Sequence, residues 1–242
     1  MWPGGPAWFL WLLLAFDCIT ALLLSSRPSW ATKLGRVMEL LAQRPLLAYV
    51  LLVACGVAFY IPLSMIFPAA SWTTMGPFAL QTSRILHYFV YFIFGVAIGL
   101  SGIDGSIIAS NSKLAAKWWV ASTAAVVIFI LYMMSSPFAA RPGASPFWAI
   151  GFVLSCAASC FAFLAIFSRF MQVRRPAWDS LAINSFGIYV VHYAFVCWLQ
   201  YALLPVYLPG FAKCLIVFLA ALLLSWTATI ALRRSPAISC VI

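Results

Sequence analysis

The chain has 242 residues, of which 66% are hydrophobic and only 7% charged, with a mean hydropathy of +1.07. A soluble globular domain carries about a quarter of its residues as charges, so this composition excludes one and points to an integral membrane protein. The net charge of +10 is then an orientation signal to be read connector by connector, not a nucleic-acid footprint.

The first apolar run, residues 7–24, predicts a spanning helix. No Lys or Arg precedes it and Asp17 interrupts it, which argues against a cleaved secretory signal. A basic connector with Arg27, Lys33, Arg36 and Arg44 follows, and its middle, 31–42, suits a short amphipathic helix on the membrane surface. The second span is expected over 46–67, opened by Pro45 and bent near its end by Pro62. An uncharged loop leads to a third span over 83–100, which carries Arg84 and His87 in its first turns and a Gly95–Gly99 pair suited to close helix packing. Gly102 and Asp104-Gly105 end it. A fourth span is expected over 118–134 and, after a loop with Pro137, Arg141, Pro142 and Gly143, a fifth over 147–170. The sixth is expected over 185–204, its helix capped by Asp179 or Ser180, and the seventh over 211–232, stopped by Arg233-Arg234. The expectation is a single transmembrane domain over 1–242, an all-α bundle of about seven helices. The seven cysteines lie mostly inside apolar runs without metal-ligand spacing, so no metal site is expected.

Assigning connectors alternately puts eleven of the 14 Lys and Arg on one side, leaving Arg84, Arg141 and Lys213 on the other. The eleven-charge side is expected to be cytoplasmic, with the N-terminus outside and the C-terminus inside. His192 then lies roughly 10 Å along the sixth helix and Asp17 roughly 15 Å along the first, both near the middle of a core about 30 Å thick. Ionisable groups at that depth need partners, and a His192–Asp17 pair would relieve both. At helical spacing Ser185, Tyr189 and His192 share one face. Arg84 and His87, one turn apart at the outer end of the third helix, are expected either to snorkel to headgroups or to bind an anionic or sugar substrate.

The stretches Gly5-Pro6-Ala7-Trp8-Phe9-Leu10-Trp11-Leu12, Phe94-Gly95-Val96-Ala97-Ile98-Gly99 and Ser185-Phe186-Gly187-Ile188-Tyr189-Val190-Val191-His192-Tyr193 occur in this order with hydrophobic helices between them. Together they resemble the later helices of the type-3 acyltransferase family of integral membrane proteins. The resemblance implies a multi-pass protein of the cell membrane, the inner membrane in a bacterium. It also implies transfer of an acyl group from cytoplasmic acyl-CoA to a hydroxyl of a sugar or glycan on the outer side, with no bound cofactor and no nucleic-acid partner. The family's hallmark, an Arg followed about ten residues later by a His on its first helix, has no match here. The chain thus looks like the last seven helices of a ten-helix enzyme, and activity of such a fragment alone is not expected.

For that chemistry His192 is the candidate base or relay, with Asp17 fixing its tautomer; Tyr189, Ser185, Arg84 and His87 are candidate substrate contacts. Basic connectors such as Arg174-Arg175 are placed to attract coenzyme A phosphates. A transporter or a seven-helix receptor is the alternative class. Against it stand the lack of internal repeats and, for a retinal pump, of a mid-membrane lysine in the seventh span.

Overall fold

Prolines open three of the helices. Pro28, Pro45 and Pro176 each occupy a first helical turn, where a missing N–H removes nothing and the fixed φ suits the helix. In the computed structural model, which describes residues 7–67, 71–75, 78–102, 105–135, 145–173 and 175–235, the helices are α1 (Ala7–Ser26), α2 (Pro28–Ala42), α3 (Pro45–Ile66), α4 (Ile85–Ser101), α5 (Lys113–Ala116), α6 (Trp118–Ser135), α7 (Ser145–Phe170), α8 (Pro176–Ala202) and α9 (Gly210–Leu232). Among the described residues seven helices are long and apolar enough to cross a membrane, all but α2 and α5. Asp104, Arg174 and the loop with Pro137, Arg141, Pro142 and Gly143 lie outside the described residues.

Two local expectations change, while the second span keeps its expected extent with Pro62 inside it. Helix α8 begins at Pro176, so Asp179 and Ser180 are not its cap; Asp179 sits in the first turn, where a negative charge suits the helix dipole. The uncharged loop between α3 and α4 contains an antiparallel hairpin, β1 (Trp72–Met75) with β2 (Phe78–Gln81), in the register Trp72↔Gln81 to Met75↔Phe78. Its strands hold Trp72, Thr73, Thr74 and Phe78, aromatic and β-branched types that favour extended backbone. The Thr73 and Thr82 hydroxyls, 2.6 Å apart, tie its open end.

The chain forms two compact units, residues 11–173 and residues 1–10 with 174–242, the division falling within α1. The larger unit is organised on α7, whose Ala157, Ala158, Ala162 and Ala165 are buried. Small side chains let neighbouring backbones approach where no hydrophobic force drives helices together in lipid. Helix α6 packs there through Ala125, and α3 through Tyr49, whose hydroxyl donates to the Leu154 carbonyl at 3.3 Å. Helix α2 is amphipathic as expected: Gly35, Met38, Leu41 and Ala42 are buried while Lys33, Arg36 and Glu39 are exposed. Its buried face lies on α4. A Cβ on Gly35 would stand 3.0 Å from the Leu100 carbonyl oxygen, so a side chain there would push the two backbones apart. Among the described residues nothing lies within 4 Å of a Cβ placed on Gly95 or Gly99, so the pair makes no close helix contact there. Gly102 ends α4 at φ +72° and ψ 165°, a positive-φ conformation that glycine adopts without strain. Ser112 caps the short α5, and Lys113 donates to the Gln43 carbonyl at the end of α2 at 3.0 Å.

In the smaller unit α8 pairs with α9. Asn184 and Gly187 on one helix and Ala221, Ser225 and Thr229 on the other are buried. Two side chains staple the pair: Trp226 Nε1 donates to Ser180 Oγ at 3.1 Å, and Arg233 donates to the Ile183 carbonyl at 2.6 Å.

Candidate functional site

Two polar clusters stand out, one in each unit. In the smaller unit His192 is half-buried on α8, while Phe186, Val190 and Cys197 on the same helix are exposed. Its Nδ1 lies 2.6 Å from the Tyr189 carbonyl oxygen one turn back. A carbonyl only accepts, so Nδ1 carries the proton of the neutral ring and the Nε2 lone pair is left available. The Tyr189 ring lies 5.6 Å from the imidazole and 6.5 Å from Phe9, centroid to centroid. Ser185, on the same face of the helix, is exposed. The contact that sets the tautomer is therefore made by the helix backbone itself. Asp17 belongs to the larger unit, where it is exposed on α1.

The second cluster lies in the larger unit where the hairpin enters α4. His87 does not snorkel. It is 2% exposed, because α3 and α7 close over the first turn of α4 and supply an aromatic box. Ring centroids of Tyr60, Tyr91 and Phe152 lie 5.4, 4.8 and 5.5 Å from the imidazole. Gly56 makes room for it: a Cβ there would meet Val153 Cγ1 at 2.8 Å and the His87 ring at 3.4 Å. Arg84, half-buried, places Cζ 4.6 Å from the Phe152 centroid, a cation–π contact, and its guanidinium interacts with the hydroxyls of Tyr60 and Tyr88. Tyr60 is 1% exposed, so its hydroxyl has left water for that contact. Both nitrogens of His87, Arg84 Nε, the Tyr91 hydroxyl and Trp148 Nε1 are buried without a hydrogen-bond partner among the described residues. Most buried polar groups are paired, so unpartnered groups gathered around His87 call for an explanation.

The spacing of Arg84 and His87 was legible as a shared face, but Tyr60, Gly56, Tyr91, Trp148 and Phe152 were not singled out. They come from α3, α4 and α7, and in sequence they look like the aromatic and small residues of any spanning helix. The one available signal was the arginine, which needs polar company at a helix end. No group of three or more His, Cys, Asp or Glu suited to a metal is present among the described residues.

Comparison with protein families decides the class, because a family described as an acyltransferase domain matches residues 2–230, nearly the whole chain. The chain belongs to the type-3 acyltransferase family. A search of curated proteins and one of solved structures give no match. Membership makes this a multi-pass membrane protein of an acyltransferase family, with a lipid bilayer, an acyl donor and an acceptor as its partners.

Proposed function

We propose that this acyltransferase-family protein takes an acyl group from cytoplasmic acyl-CoA and places it on a hydroxyl of a sugar or glycan across the membrane, with His192 as the base. The observation that carries the role of His192 is its 2.6 Å contact with the Tyr189 carbonyl, which holds the proton on Nδ1 and leaves Nε2 to accept one. In the transfer Nε2 takes the hydroxyl proton as the oxygen attacks the thioester carbonyl carbon. The C–S bond then breaks, and the coenzyme A thiolate leaves with the proton returned by the imidazolium, so ester and thiol are the products. Tyr189, one turn away on the same face, is a donor for the acceptor or for the developing oxyanion, and exposed Ser185 extends that polar face. The basic side of the protein, including Arg175, supplies attraction for the donor's phosphates.

The test uses membranes carrying the full chain, radiolabelled acetyl-CoA and a glycan acceptor pool, and its first requirement is label transfer above membranes without the chain, since a fragment lacking the family's first-helix Arg and His would transfer none. His192→Ala should lower label transfer by about 100-fold or more, the usual worth of a positioned base, while exposed Val190→Ala leaves it near the parent. Equal behaviour of His192→Ala and Val190→Ala, at equal amounts of folded protein, would overturn the assignment.

A further inference from the structure

The sequence contains only four acidic residues, Asp17, Glu39, Asp104 and Asp179. Among the described residues, which leave out Asp104, the groups acting on Arg84 are the hydroxyls of Tyr88 and Tyr60. A guanidinium partly withdrawn from water is costly unless an opposite charge accompanies it. The same cluster also has a surplus of donors. Arg84 Nε can only donate, and a neutral imidazole always carries one N–H, yet neither has an acceptor among the described residues. One positive charge and these unmatched donors are satisfied together by a group with negative charge and several acceptor oxygens.

We propose that Arg84 and His87 form a binding site for an oxyanion, the phosphate or carboxylate of a ligand that enters at the hairpin end of the larger unit. Arg84, half-buried, is the mouth, and His87, one turn further along α4 and 2% exposed, is the floor. The guanidinium fork matches either anion through two parallel hydrogen bonds. The Phe152 ring, 4.6 Å from Cζ, and the hydroxyls of Tyr60 and Tyr88 are its neighbours. The aromatic walls around His87 exclude water and so strengthen each charge-assisted bond formed inside.

The chain has only two histidines, so protein made with ¹³C-labelled histidine gives two imidazole signals, told apart with His192→Ala. Full-length protein in a maltoside detergent is titrated separately with inorganic phosphate, acetate and micellar phosphatidic acid. The site requires a saturable shift of the His87 signal with at least one of them while the His192 signal stays in place. A shift with phosphate or acetate identifies a soluble anion as the ligand class, and a shift with phosphatidic acid alone identifies a lipid headgroup. Arg84→Gln should weaken the response at least about tenfold, and Lys33→Gln, which removes an exposed cation of the same unit, should not. If Arg84→Gln does not fold, the parent titration and Arg84→Lys decide; the lysine keeps the charge, loses the fork and should bind more weakly. Absence of a saturable shift with all three anions, equal shifts at both histidines, or undiminished affinity in the folded Arg84 variants would overturn the proposal.

Discussion

Gly56 lets Val153 of α7 close against α3 beside His87. The Cβ of Gly56→Ala would overlap Val153 Cγ1 at 2.8 Å and press on the imidazole at 3.4 Å. Overpacking of this kind typically costs about 1–3 kcal/mol, so the variant should melt earlier in detergent and shift the His87 imidazole signal even without added anion. An unchanged melting temperature would show that α7 yields freely at Val153. What the sequence disclosed here was the pairing of Arg84 with His87 at helical spacing, and no more. Whether such a pair reaches for headgroups or turns inward depends on side chains from α3 and α7, and no local pattern reports on those. His192 was legible as a costly group within a span, yet its tautomer rests on a backbone carbonyl of its own helix, a contact that any helical residue at that spacing offers.

At the level of helices, glycine pairs and actual close approach part company. Gly95 and Gly99 carry the spacing associated with tight packing but face open space, whereas Gly35, with no motif around it, touches the backbone of α4. Gly95→Ala should therefore be neutral or raise thermal stability slightly, since alanine is favoured over glycine in helices by about 1 kcal/mol. Gly35→Ala should lower it, because the Leu100 carbonyl at 3.0 Å is backbone and cannot rotate aside. Parallel melting curves of the two variants check this, and the opposite ranking would mean that α2 does not lie on α4 as described. Helix extents were readable to within a few residues where charges and prolines bound them, as at Pro45, Arg233 and Lys117. The start of α8 was not, because nine polar and apolar residues continue its helix before the strongly apolar part begins. The β1–β2 hairpin escaped as well: four-residue strands give too short a pattern to separate from a loop.

For the whole molecule, orientation follows from charge. With eleven of the 14 basic residues on one side, Gln43 is expected in the cytoplasm and Tyr207, between α8 and α9 and fully exposed, outside. Single cysteines at these two positions, in a background with the seven native cysteines replaced, should be labelled by an impermeant thiol reagent from opposite faces. Labelling of both from one face would remove the proposed direction of acyl transfer along with the topology. The lengths of the helices carry a separate consequence. Helix α8, with 27 residues, is about 40 Å long, whereas α4 and α6, with 17 and 18, are about 26 and 27 Å. The excess of α8 is its first nine residues, which include Asp179, so the apolar part from Ser185 to Ala202 is about 27 Å long and matches the short pair. A single bilayer of that thickness suits all three, and the first turns of α8 then stand in the headgroup region on the side of Arg175.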